Sequence, residues 1–407
     1  MISMRIFIYE HIAGGGLAGE SIDSSLLPEG FAMLNTVIED FREIGQEIVT
    51  TLDSNLNTMQ NYLKAHKIIE ISGKEELEEK FIEITADSDA VLLIAPESDN
   101  LLFELAKKVE TAGRLLLGPS SDAIKIAGNK IETHKKALEA HVLIPSGIRV
   151  AFSEEPEKID KICNQIGYPV VFKPIDGVGG GGICIVANSQ DIEAGMQTVR
   201  QYTRLDSFQA QKFINGLDVS VSAIVSGQEV YPISLNAQLV RIGPPNAKSE
   251  YRGGYLPIGH RLKEEAFENT KKILRHIGGF QGYAGLDFVF SYAPFLIEVN
   301  PRITTSYLGL REVLSPNPAQ LILDAVQGKP PKKISFEGAV IYSKVEFEGE
   351  VNAFDIPLEF QNRIKISTPA VPIQGQTITF IVSKGKSIKE AQETLTNFTD
   401  SVNRQFL

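Results

Sequence analysis

The chain has 407 residues, 43% of them hydrophobic and 22% charged, enough for roughly two to three domains around more than one core. No run approaches the ~18 apolar residues of a membrane span, and a net charge of −11 with scattered basic residues argues against a nucleic-acid partner. Cys163 and Cys184 give neither a disulfide framework nor metal-ligand spacing, and no secretory leader precedes the first strand pattern, so a cytoplasmic protein without membrane attachment is expected.

The first elements alternate. Arg5 to Tyr9 reads as a strand, and Glu29 to Ile44 places Phe31, Leu34, Ile38 and Phe41 on one helical face. Strand runs follow at Ile48 to Leu52, Ile68 to Ile71, Ala90 to Ala95 and Leu115 to Leu117, with helical stretches at Lys74 to Ile84 and Leu101 to Ala112 between them. This is the rhythm of a parallel α/β sheet closing near Gly118-Pro119.

Gly14 to Gly19 matches a dinucleotide-binding pattern, with Glu39 about twenty residues on. The context opposes that reading, because Ser21 to Leu27 is polar and broken and the periodic helix begins only near Pro28. A loop at the carboxyl end of the first strand, where open α/β sheets place ligands, is the better reading. Glu10, at that strand's end, is positioned to meet a substrate ammonium.

After Ser120 two helices are expected, at Asp122 to Ala127 and Ile131 to Ala140. A buried strand ending in Lys173 then runs into Gly177 to Gly182, and Ile183 to Val186 reads as a returning strand. Glycines without Cβ let main-chain N–H groups approach phosphate oxygens, and a lysine on a rigid strand adds a cation beside them. A plain glycine turn between strands fits this stretch equally well on its own.

From Phe208 onward strands dominate, and the densest constellation is Leu286 to Phe290 followed by Phe295 to Arg302. Two-residue spacing puts Glu298 and Asn300 on one face, and the turn at Ser291 to Pro294 brings Asp287 beside them across a hairpin. Three oxygen-bearing side chains on rigid backbone suit Mg²⁺, which takes few protein ligands and completes its shell with water and phosphate. The segment from Arg241 to His260 is long and polar, and Arg252 is the choice there for a substrate carboxylate. The C-terminal part adds strands at Ala339 to Val345 and Thr377 to Val382 and a last helix opened by Ser387.

In this order the motifs resemble the ATP-grasp superfamily of carboxylate–amine ligases, over most of the chain from Gly118 onward. The resemblance implies an ATP-grasp fold behind an N-terminal parallel α/β domain: residues 1–118, a small lid at 119–207, and a large catalytic part at 208–407. It implies ATP and Mg²⁺ (or Mn²⁺) as cofactors. Lys130 and Lys173 would contact ATP, Gly179, Gly180 and Gly181 would cover its phosphates, and Gln211, Lys212, Phe213 and Ile214 would face the adenine. Asp218 would hold the ribose, Asp287, Glu298 and Asn300 the metal, and Arg302 the reacting oxygens. Asn129 stands where the family often has aspartate, and Gln211 and Asp218 where glutamate is more usual. The implied partners are a small carboxylate and an amine, joined through an acyl phosphate, and a homo-oligomer is allowed. Tyr9 to Ile12, Gly14 to Gly16 and Pro28 to Leu34 are similar to members that join glutamate to an aromatic amine such as tyramine. A nicotinamide-dependent oxidoreductase using the 14–19 glycines and a nucleotide-binding regulatory module without turnover are the competing readings.

Overall fold

The computed structural model describes residues 3–20, 26–177, 180–331, 333–348, 356–373 and 376–406. Its first unit is a parallel sheet of β1 (Arg5–Glu10), β2 (Glu47–Asp53), β3 (Lys67–Ile71), β4 (Ala90–Ile94) and β5 (Leu115–Leu116), in the order β3-β2-β1-β4-β5. Helices α1 (Leu27–Glu43), α2 (Lys74–Asp87) and α3 (Leu101–Thr111) connect them, with a 3₁₀ stretch over Ser54–Tyr62. Alternation along β1 sorts the faces: Ile6 and Ile8 pack with α1, while Phe7 and Tyr9 pack with Phe81 of α2 and Leu102 of α3. The strand order reverses between β1 and β4, and the crevice beyond their carboxyl ends is where such sheets bind ligands. Glu10 and Glu97 sit at those two ends.

Next come α4 (Ser121–Ala127) and α5 (Lys130–Glu139), each opened by a side-chain cap, Ser120 and Asn129 respectively. Both were expected in the lid. The structure places Ala123, Ala127 and Ala137 instead in one core with Val219, Ile273 and Leu286 of the large sheet and its helix. Small alanine faces let these helices lie close on that sheet, whereas helical periodicity alone does not say which sheet a helix joins. The lid has its own core and begins with β6 (Gly147–Ala151), continuing through α6 (Pro156–Ile166), β7 (Val170–Pro174), β8 (Cys184–Val186), α7 (Ile192–Arg200) and β9 (Ser207–Lys212). These strands form an antiparallel sheet, β6-β9-β7-β8, over Val150, Ile159, Phe172 and Phe208, with both cysteines buried beneath it.

The large part contains β10 (Leu217–Ser226), β11 (Glu229–Arg241), β12 (Glu250–Leu256), α8 (Lys263–Ile277), β13 (Gly282–Phe290) and β14 (Pro294–Asn300). It continues with α9 (Ser306–Val313), β15 (Leu314–Ser315), α10 (Pro318–Val326), β16 (Ser335–Phe336), β17 (Ala339–Glu348), β18 (Ile364–Ile366), β19 (Val371–Ile373), β20 (Gln376–Gly385) and α11 (Ile388–Phe406). The long sheet runs β14-β13-β10-β11-β12-β17-β20-β18, with β19 also on β20. Ser387 Oγ accepts the N–H of Glu390 at the start of α11, and Glu390 Oε2 accepts that of Lys386, one residue before the position a capping box uses.

Residues 1–118 do not stand apart. Phe31, Leu34 and Phe41 of α1 share one core with Leu308, Leu310 and Ile322 of α9 and α10. At its rim Arg311 Nε pairs with Asp40 at 2.6 Å and its Nη2 with Glu43 at 3.0 Å. This packing holds the crevice at the ends of β1 and β4 against the mouth of the hairpin β13–β14. Among the described residues no helix is long and apolar enough to cross a membrane.

Candidate active site

A cleft of about 990 Å³ opens between the three units. Its phosphate-like end is built from β7, α5 and the β13–β14 hairpin. Lys173 on β7 is 3% exposed and Lys130, first residue of α5, is 7% exposed. Lys130 Nζ donates to the carbonyl of Gly177 at 2.6 Å and lies 3.5 Å from Glu298 Oε2. Burial, and then the charge of Lys130, pushes the Lys173 ammonium down to about 7. Lys173 lines the cleft, with the buried Lys130 behind it on Glu298, and a buried amine facing a cleft calls for an anion. Gly180, in a left-handed conformation at φ +77°, lines the cleft on the lid side. Gly181 follows it in the same turn, and Gly179 lies outside the described residues.

The hairpin delivers its oxygen donors as its spacing predicts. Asp287 pairs with Glu298 and Gly285 with Asn300 across β13 and β14, with a bulge just after Asp287. Asp287 Oδ2 accepts from Asn300 Nδ2 at 3.0 Å and Oδ1 from Gln238 Nε2 at 2.9 Å. Burial first, and then repulsion by Glu298, pushes the Asp287 carboxyl up to about 7. Asp287, held by two neutral amides, and Glu298 opposite it form a donor set that fits a hard divalent cation, which would relieve that repulsion. Among the described residues no group of three or more His, Cys, Asp or Glu side chains is placed to hold a metal. Gln238, on β11, was not legible as part of this set, since nothing in its neighbourhood marks it.

The far wall is the expected adenine hinge. Gln211, Lys212, Phe213, Ile214 and Asp218 all line the cleft. The main-chain N–H of Lys212 goes to Ser146 and that of Phe213 to Pro169, and Lys212 Nζ is tied to the Gly167 carbonyl at 2.6 Å. The Lys212 ammonium and both of these main-chain donors are thus engaged within the protein. Burial pushes the Asp218 carboxyl up to about 6.

Arg302 lies beyond the metal set and is nearly buried, its side chain 15% exposed. It makes a two-pronged contact with Glu97 from the first unit, Nε to Oε1 at 2.9 Å and Nη2 to Oε2 at 3.3 Å. Arg252 does not join the cleft. The stretch expected as a polar loop ends in strand β12, Tyr251 turns toward the cleft, and by alternation Arg252 turns away, 63% exposed and paired with Glu250 at 2.7 Å. Tyr251 OH accepts from Thr305 Oγ1 at 2.6 Å. Glu10, Glu29 and Met33 complete the chamber from the first unit.

The glycines at 14–19 do not open a helix. Gly14 packs on Thr51, whose Oγ1 donates to its carbonyl, Gly15 packs on Ile71, and α1 starts only at Leu27. Glu39 pairs with Lys365 at the α1 surface instead of facing a ribose.

A glycine-bearing lid sheet, paired buried lysines and an acidic hairpin around one cleft define a nucleotide-dependent enzyme of mixed α/β architecture. The ATP-grasp domain family matches residues 127–306, and the pre ATP-grasp 3 domain family matches residues 46–124. A tyramine–L-glutamate ligase of Methanocaldococcus fervens is 31% identical over 321 residues, covering 78% of this chain and 92% of the relative. The corresponding ligase of Methanocaldococcus jannaschii is 30% identical over 79% of this chain and 89% of its own. Among solved structures, an ATP-grasp superfamily protein from Archaeoglobus fulgidus superposes with TM-score 0.63 at 24% identity, over 93% of this chain and 99% of that one. Biotin carboxylase from Campylobacter jejuni superposes with TM-score 0.76 at 16% identity, over 98% and 91%. The chain belongs to the ATP-grasp superfamily, whose members use ATP with Mg²⁺.

Proposed function

We propose that this enzyme joins a carboxylate to an amine at the expense of ATP, with L-glutamate as the acid and tyramine or a similar aromatic amine as the acceptor. The observation that carries the reading is the continuity of one cleft, from an adenine hinge through buried lysines and an acidic hairpin to a chamber lined by Glu10, Glu29, Arg302 and Tyr251. The identity to tyramine–L-glutamate ligases over most of their length supports the choice of substrates.

In this reading the substrate carboxylate attacks the γ-phosphorus, the bond to the β–γ bridging oxygen breaks, and ADP leaves. The amine nitrogen then forms the C–N bond as phosphate departs from the acyl carbon. Lys130 and Lys173 hold phosphate oxygens from rigid elements, and Arg302 stabilises the oxygen on which charge develops. Asp287, Glu298 and Asn300 would hold Mg²⁺, which neutralises phosphate charge when bound. Gln211 to Ile214 and Asp218 orient the nucleoside, and the lid excludes water from the acyl phosphate. No protein nucleophile is needed. We place the enzyme in the cytoplasm, where ATP and Mg²⁺ are supplied.

The test is an incubation of purified protein with ATP, Mg²⁺, L-glutamate and tyramine, following ADP and the product mass. ADP, phosphate and the amide are expected. AMP and pyrophosphate would overturn the mechanism, and ADP release only with another acid and amine would overturn the substrate assignment. Nucleotide binding without turnover of any pair would support the regulatory module.

A further inference from the structure

Beyond Arg302 the cleft runs beneath the carboxyl end of β1, where Glu10 is the last strand residue and 3% exposed. Its oxygens accept the main-chain N–H groups of Ile12 at 3.0 Å and Ala13 at 2.6 Å. These neutral donors leave each oxygen further lone-pair capacity. Arg302 acts on Glu10 through space but gives its hydrogen bonds to Glu97 and to the Ile303 carbonyl. Helix α1 meets the carboxylate with Gly30, where a Cβ would lie 2.7 Å from Oε1 and 2.9 Å from Oε2. A bare helix backbone is thus what gives this carboxylate its room. The other titratable groups around it are Tyr9 and His11 of its own segment, which bond each other, and Glu29 of α1, which pairs with Lys344 at 3.6 Å.

We infer that Glu10 receives the ammonium group of the amine substrate and takes its proton, so that the neutral amine attacks the acyl phosphate. This rests on the ligase reading above. An alkylammonium has no lone pair. Transfer of one proton to a Glu10 oxygen leaves the nitrogen its electron pair, which forms the C–N bond. The C–O bond to phosphate breaks with its electrons on the departing phosphate, which collects the surplus proton from nitrogen. Burial pushes the Glu10 carboxyl up to about 7, which suits a base working near neutrality. Ile12, Leu17, Met33 and Tyr251 line the cleft beside it and offer faces for an apolar or aromatic amine.

The experiment compares two nucleophiles, tyramine and hydroxylamine, with ATP, Mg²⁺ and L-glutamate. Hydroxylamine is uncharged near neutral pH and needs no base, so hydroxamate reports acyl phosphate formation alone. In Glu10→Gln the ratio of amide rate to hydroxamate rate should fall by about a hundredfold or more. Glu10→Asp should recover part of that ratio. In the unmodified enzyme the same ratio should fall as pH drops through about 7, because Glu10 is then protonated, while groups serving both nucleophiles cancel. A ratio unchanged in Glu10→Gln, or flat with pH in the unmodified enzyme, overturns the inference. Failure of the unmodified enzyme to release ADP with hydroxylamine and L-glutamate overturns the choice of L-glutamate as the acid, and failure with every acid offered overturns the ligase reading itself.

Discussion

Glu97, just beyond β4, holds Arg302, just beyond β14, through two parallel contacts of 2.9 and 3.3 Å, with the two side chains only 5% and 15% exposed. The pair spans the first unit and the large sheet, so the guanidinium we propose for the acyl chemistry is aimed by a residue from another unit. A bidentate fork fixes both position and plane. Glu97→Gln keeps the shape and loses the charge and one acceptor. We expect kcat to fall by about a hundredfold with the KM for ATP little changed, since a misaimed group costs rate more than nucleotide binding. Breaking a buried pair should also lower stability by on the order of 3 kcal/mol. Steady-state kinetics and thermal melting check both parts.

Lys173 gives a prediction about protons. Burial pushes its folded-state value down to about 7, whereas an unfolded lysine titrates near 10.5. Between those values the unfolded chain binds the proton and the folded one does not, so this group makes stability rise with pH through that window and fall as pH drops toward about 7, levelling off below it. A triphosphate beside Lys173 favours the ammonium. Binding of ATP in the absence of metal at pH 8 should therefore take up protons, seen by calorimetry in buffers of different ionisation heat. In Lys173→Met that uptake should vanish.

The metal set predicts a graded response. Glu298→Gln removes a charged oxygen and should abolish turnover with the fold intact by circular dichroism. Gln238 lies one step out, holding Asp287 at 2.9 Å, and Gln238→Leu should weaken Mg²⁺ affinity by about 10- to 100-fold. Titration of activity against Mg²⁺ distinguishes the two, because excess metal should restore Gln238→Leu but not Glu298→Gln.

What the sequence disclosed was local. The hairpin carrying Asp287, Glu298 and Asn300 was legible because a period of two and a short turn decide which side chains meet. Lys173 was legible because a short apolar run ends on it, which places it at the end of a buried strand. Glu97 was not, because its partner lies 205 residues away and nothing local marks the pairing. Arg252 falls outside the cleft lining by phase: the composition of the segment suggested a loop, but β12 makes Tyr251 and Arg252 face opposite ways. Helices α4 and α5 were read as helices correctly and assigned to the wrong unit, since their alanines record contact and not address.

Arg252 supplies a control. It is exposed, bonded to Glu250 and outside the cleft lining, so Arg252→Ala should leave kcat and both substrate KM values within about twofold, as exposed ion pairs contribute little. A large rise in the KM for the carboxylate would show that β12 rearranges on binding and brings the guanidinium inward.

Gly30 tests the geometry around Glu10 without altering any charge. A methyl group in Gly30→Ala would meet the carboxylate at 2.7 Å, and helix α1 packs too tightly in the core to yield much. The carboxylate is the softer partner and should shift, straining its bonds from Ile12 and Ala13. Overpacking of this kind costs about 1–3 kcal/mol, offset in part because alanine is the better helix former. The KM for the amine should rise by about tenfold or more while the KM for ATP stays put, since about 1.4 kcal/mol of lost contact corresponds to a factor of ten. Gly30→Ala with an unchanged amine KM would mean that the chamber beside Glu10 does not receive the amine.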